Sequence, residues 1–210
     1  MDWSDPTVAA VPSLDGTVLA VLAGVDEALT GRDVHRRARR GSAMGVYRAL
    51  IRLEEQGVVD VVEASPSRLY RLNREHVAAP VALCLVNLRG MVFARIREDI
   101  GSWLAQPLCA AVFGSAARGD GDADSDVDVL LVRPDGVADD EEPWATQVAE
   151  LAGKIRRWCG NPASLLQVGF ADVEEMLARQ EPVVDSLRAD AIDVAGTPIR
   201  ELLTVRGGQV

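Results

Sequence analysis

The stretch LCAAVFGSAARGDGDADSDVDVLLV, Leu108 to Val132, decides the fold. Cys109 to Phe113 is an apolar run of strand length, Gly114-Ser115 breaks it, and Ala116 to Arg118 opens a helix. Val127 to Val132 is a second strand, entered through Asp126. Alternate residues of a strand share a face, so Asp126 and Asp128 present their carboxylates together. Such a pair repels itself unless a cation lies between its members. Hard oxygen ligands that leave most coordination positions open suit magnesium, which takes one or two carboxylates together with substrate phosphates and water. The Gly-Ser turn supplies the other half. Glycine lets the backbone approach a phosphate, serine offers a hydroxyl and an amide, and the N-terminus of a following helix favours anions. Phosphate and metal then meet at one point, as in-line attack on the α-phosphate of a nucleoside triphosphate requires.

This pattern of hydrophobic strand, Gly-Ser, spacer and Asp-hydrophobic-Asp-hydrophobic closely resembles the signature of the DNA polymerase beta-type nucleotidyltransferase superfamily. The wording is most similar to that of the minimal prokaryotic members, through Gly114, Ser115, Ala117, Arg118, Gly119, Ser125, Asp126, Asp128, Leu130 and Val132. The resemblance implies an α+β fold with a mixed β-sheet flanked by helices. It also implies that Gly114 and Ser115, with Arg118 and Ser125, hold the triphosphate, and that Asp126 and Asp128 are the catalytic pair on one or two magnesium ions. The implied reaction moves a nucleoside monophosphate to an acceptor and releases pyrophosphate. Minimal members are often antitoxins that modify a companion toxin, and larger relatives modify aminoglycosides or tRNA ends. The resemblance does not choose among these acceptors.

Members that catalyse transfer usually place a third carboxylate on a later strand, as a metal ligand or as general base. The corresponding strand here, Ser164 to Phe170, contains no acid. Gln167 stands near the expected position, and it can hydrogen-bond but neither neutralise a metal nor take a proton at neutral pH. An enzyme would then replace the base by Asp172 or Glu174, which follow at the start of the next helix, by the acceptor itself, or by simple positioning. Two readings therefore stand at this point: an enzyme, or a nucleotide-binding regulator or antitoxin with little catalysis.

Upstream, an apolar run from Thr17 to Leu22 predicts a first helix, Thr30 an N-cap for a second through about Arg39, and Ser42 an N-cap for a third. In the third, Val46, Leu50 and Leu53, with Ala49, form one apolar stripe, which Gly57 ends. Val58 to Glu63 and Arg68 to Leu72 are β-prone runs joined by the turn residues Ala64 to Ser67. Three helices and a hairpin is the order of a winged helix-turn-helix, and Ser42 to Asn73 resembles the recognition helix and wing of bacterial winged-helix regulators. In such a domain Ser42, Tyr47 and Arg48 reach DNA from the recognition helix, and Arg68 and Arg71 hold the backbone from the wing. Winged-helix proteins commonly bind as homodimers.

The formal net charge is −10, yet residues 31–76 hold ten arginines against six acids. A basic island in an acidic chain is a footprint for a polyanion. The acidic remainder repels nucleic acid, which favours a protein acceptor such as a toxin. Domains are expected at 13–75 (winged helix) and 104–205 (nucleotidyltransferase), with a connecting helix over 76–103 that carries Val81, Leu85, Leu88, Val92 and Ile96 on one side. Two histidines make a histidine-built metal site or a serine-histidine relay hard to assemble, and three well-separated cysteines suggest neither a disulfide framework nor a zinc site; the cysteines are expected to be buried small hydrophobes. No run is long and apolar enough to span a bilayer and the opening residues are acidic, so the expectation is a cytoplasmic protein with no membrane contact.

Overall fold

A computed structural model describes residues 1–64 and 67–204. The tip of the expected turn at Ser65-Pro66 and the expected frayed end from Arg206 lie outside the described residues. The chain forms two compact units, one of Asp2 and Ser4–Arg89, the other of Met1, Trp3 and Gly90–Val210.

The N-terminal unit orders its elements as α1 (Leu14–Ala23), β1 (Leu29–Thr30), α2 (Gly31–Ala38), α3 (Ala43–Glu55), β2 (Val59–Ala64), β3 (Ser67–Leu72) and α4 (Ala79–Val86). Short polar side chains start α2 and α3 by satisfying amides that have no intrahelical acceptor. The Thr30 hydroxyl accepts from the Asp33 amide at 3.1 Å, and Ser42 does the same for Gly45 at 3.1 Å. The strands pair antiparallel in the order β1-β3-β2, with Val61 opposite Tyr70 and Val59 opposite Leu72. Val18, Leu22, Val34, Val46, Leu50 and Tyr70 close the core.

The expected connecting helix over 76–103 is instead two helices, α4 and then α5 (Leu88–Gly101), separated at Asn87. Their apolar residues serve different cores. Ala79 and Ala82 of α4 join the N-terminal core, whereas Phe93, Ile96 and Ile100 of α5 join the C-terminal one. A continuous apolar pattern in sequence conceals that division. α4 contains no polar side chain, and Val81, Leu83 and Val86 are left exposed on it beside Cys84. Cys84 thus departs from the expected burial; Cys109 is buried and Cys159 half-buried.

The C-terminal unit continues with β4 (Cys109–Phe113), α6 (Gly114–Arg118), β5 (Val127–Val132), α7 (Trp144–Cys159), β6 (Ala163–Val168), α8 (Phe170–Ala178), α9 (Pro182–Asp190), β7 (Ile192–Gly196) and α10 (Ile199–Leu202). Its mixed sheet runs β6-β5-β4-β7, with β5 and β6 parallel and the other pairs antiparallel. Side-chain alternation divides β5 between two cores. Val127, Val129 and Leu131 pack with residues of α5 and α7, and Leu130 and Val132 pack with residues of α8, α9 and α10. This is the expected α+β class with helices on both faces of a mixed sheet. Among the described residues no single helix is long and apolar enough to cross a membrane.

Candidate nucleotide and metal site

The site lies where β4 ends and β5 begins. The register sets Phe113 opposite Asp128, so the turn after β4 rises beside the acidic start of β5. Gly114 occupies that turn at φ +69°, a region that side chains beyond glycine rarely adopt. A Cβ there would meet the Asp128 Oδ2 at 2.5 Å, so the carboxylate occupies the space that a side chain at residue 114 would need. Ser115 follows, with its hydroxyl against Gly121, where a Cβ would fall 2.7 Å from it. The helix that begins here, α6, is five residues long and starts at Gly114 itself. A single turn adds little dipole, so a phosphate at this point would be held by amides and the serine rather than by a helix terminus.

Asp126 is exposed and Asp128 half-buried. Burial, and then repulsion from Asp126, push the Asp128 carboxyl above the usual carboxylate range; hydrogen bonding from Ser164 and the charge of Arg118 act the other way. Two carboxylates on a partly desolvated strand end, one raised by the other, are the donor set that a hard divalent cation relieves. Among the described residues no group of three or more His, Cys, Asp or Glu side chains could hold a metal ion. Asp126 and Asp128 are the two carboxylates that could hold a magnesium ion, which prefers one or two carboxylates together with phosphate and water.

The remaining predicted contacts are nearby but engaged. Arg118 donates from Nε to Asp120 at 2.9 Å and from Nη1 to Asp190 at 2.7 Å, and these carboxylates raise its pKa further. Ser125 donates to the Asp122 carboxylate at 2.8 Å and accepts from the Asp122 amide at 3.0 Å, shaping the loop that leads into Asp126. Beneath that loop lies Asn161, fully buried, whose side-chain amide faces the carbonyls of Ser125 at 2.9 Å, Ala123 at 3.2 Å and Asp122 at 3.4 Å. Nothing in the Gly160-Asn161-Pro162 turn sequence marks it, because its partners are some 36 to 39 residues away.

The register of β6 corrects the reading of the third position. Asp128 lies beside Ser164, and Gln167 lies beside Leu131. Gln167 therefore points to the opposite face of the sheet from Asp128, where its Oε1 accepts from the Trp144 indole at 2.7 Å. Ser164, exposed, is the side chain neighbouring Asp128 on the same face. Asp172 and Glu174 belong to α8, beyond the far end of β6. Val168 pairs with Val132 there, four residues or roughly 13 Å along the strand from Asp128. Asp172 also accepts from the Gly169 amide at 2.6 Å and faces Arg133, so neither acid can substitute as a base at Asp128.

In the N-terminal unit most of the basic island is internally paired. Arg68 binds Glu54 at 2.6 Å and Glu63 at 3.2 Å, Arg71 binds Asp60, and Arg36, Arg37, Arg40, Arg52 and Arg74 each pair with an acid. Asp5, Asp15, Asp26 and Glu27, outside the island, supply four of those partners. The stretch 1–89 holds eleven arginines and eleven acids, so its formal side-chain charge is zero. Arg32, Arg39 and Arg48 have no ion pair among the described residues. Tyr47 and Met44 are exposed beside Arg48 on one face of α3, and Ser42 is occupied by its cap.

A family model described as a nucleotidyltransferase domain matches residues 95–203, just over half the chain and nearly all of the unit that holds Asp126 and Asp128. The chain belongs to the nucleotidyltransferase domain family. The Gly114 turn and the acidic start of β5 lie well inside the matched range of this nucleotidyltransferase domain. No curated protein matches the chain. A solved structure described as "Crystal structure of the toxin-antitoxin with AMP-PNP" is similar at a TM-score of 0.35 and 16% identity, over 53% of this chain and 79% of that one.

Proposed function

We propose that the C-terminal unit binds a magnesium nucleoside triphosphate and transfers its nucleoside monophosphate to a hydroxyl acceptor, releasing pyrophosphate. The observation that carries this reading is the closeness of the Asp128 carboxylate to the side-chain-free Gly114, which brings the Gly-Ser turn and the acidic strand end together. Asp126 and Asp128 would hold the metal, which when bound neutralises charge on the attacking and departing oxygens. Gly114 and Ser115 bind and orient the triphosphate. Arg118 exchanges a carboxylate partner for phosphate, a trade between anions that keeps its charge paired. Ser164 hydrogen-bonds at the position where a third acid would stand, and orients a neighbour without taking up a proton at neutral pH. The test is pyrophosphate release in a cytoplasmic extract that supplies acceptors, with the Asp126→Asn, Asp128→Asn double variant as control. Release by the natural chain alone supports transfer, and equal release by both excludes this site.

Ser164 also favours a second reading, in which triphosphate and magnesium bind without appreciable turnover and serve a regulator or antitoxin. Triphosphate binding without pyrophosphate release distinguishes it.

For the N-terminal unit we propose a winged helix-turn-helix that contacts DNA, as a homodimer, through the exposed face of α3 with Tyr47 and Arg48. Arg32 and Arg39 join this surface as cations without internal partners, while Arg68 and Arg71 reach phosphate only by leaving Glu54, Glu63 and Asp60. The C-terminal unit carries a net −10 and is a poor partner for nucleic acid, which supports a protein acceptor, such as a toxin.

A further inference from the structure

Asn161 stands in the turn between α7 and β6, outside the signature residues, and its side chain is wholly buried. An amide has two N–H donors, and this one is shared among the carbonyls of Asp122, Ala123 and Ser125, three of the four residues directly before Asp126, and that of Met1 at 3.1 Å. Its Oδ1 accepts from the Met1 amino group. One residue further on, the Pro162 carbonyl accepts from the Val127 amide at 2.8 Å, which fixes the other side of Asp126. The loop has few other anchors. The Trp3 amide donates to the Gly121 carbonyl at 2.9 Å, and Asp122 and Ser125 bind one another. Asp126 itself is exposed and is not wedged by packing.

We infer that Asn161 is a positioning residue for the metal site, holding the 122–125 loop so that the Asp126 carboxylate faces the same space as that of Asp128. This rests on the proposed magnesium-triphosphate reading. Without Asn161 these carbonyls lose their donor, the loop relaxes and the two carboxylates are no longer held in common register. Outer-shell changes of this kind typically weaken metal binding by roughly 10- to 100-fold.

The experiment is magnesium titration of ATP binding for the full-length natural chain, Asn161→Ala, Asp126→Asn and the double variant, with the melting curve of each recorded. Asn161→Ser, which keeps one donor, replaces the alanine variant if that does not fold. Three results support the inference: a magnesium midpoint raised about tenfold by Asn161→Ala, ATP affinity at saturating magnesium unchanged, and almost no further shift when Asp126 is already asparagine. A merely structural role would lower the melting temperature yet add its effect on both backgrounds. A natural midpoint in the folded variant, or an additive cycle, overturns the inference while leaving the function standing. Absence of magnesium-dependent binding in the natural chain overturns the functional reading, and the inference with it.

Discussion

At Gly114 two constraints coincide: a positive φ and a carboxylate 2.5 Å from where a Cβ would stand. Gly114→Ala should therefore cost about 1 to 3 kcal/mol of stability, seen as an earlier thermal transition, and should displace Asp128 enough to abolish triphosphate binding. A variant that melts and binds like the natural chain would remove Gly114 from the site. Asp128 behaves oppositely. Its charge is disfavoured by burial and by Asp126, so Asp128→Asn should raise the metal-free melting temperature at neutral pH, by about 2 °C or less, while losing magnesium dependence. A lower melting temperature would mean that the charge is already compensated by Ser164 and Arg118. Residues such as these were legible because glycine, serine and alternating acids carry their chemistry locally. Asn161 was not, since its role is set by carbonyls that only the fold brings to it.

At the scale of elements, the caps at Thr30 and Ser42 and the apolar stripe of α3 follow from short-range rules and were read directly from the sequence. Register was not. The sequence SLLQVGF contains no clue to which of its residues flanks Asp128, because a shift of one position exchanges the two faces of a strand. The parallel pairing of β5 with β6 makes Ser164 that residue and sends Gln167 to Trp144. Ser164→Asp should then tighten magnesium binding and, without metal, destabilise the fold by about 1 kcal/mol through a third like charge. Gln167→Glu, on the other face, should leave the magnesium midpoint where it was. If Gln167→Glu tightens binding and Ser164→Asp does not, the register is wrong. The break at Asn87 escaped the sequence for a related reason: α4 and α5 are both apolar, and only their separate cores divide them.

Over the whole molecule the charge is divided more sharply than the island at 31–76 suggested. Acids from outside that segment neutralise it, leaving residues 1–89 without net charge and the remainder at −10. Ion pairs between residues as distant as Arg52 and Asp15, or Arg74 and Asp26, cannot be counted from a sequence window. DNA affinity should accordingly rest on Arg32, Arg39 and Arg48, with a logarithmic salt slope near −3 per protomer, at about 0.9 per phosphate neutralised, rather than the much steeper slope of ten free arginines. Binding measured from low to moderate salt, with Arg48→Ala reducing the slope by about one, checks this. A slope near −9, or no binding at low salt, would contradict the assignment of that surface.

Triphosphate and magnesium are expected to meet between Gly114 and Asp128, and calorimetric titration of ATP, with and without magnesium, reads this out. The natural chain should bind only with the metal, and the Asp126→Asn, Asp128→Asn double variant, folded, should not bind under either condition. Equal binding by both proteins, or binding indifferent to magnesium, would mean that Asp126 and Asp128 are not the metal site.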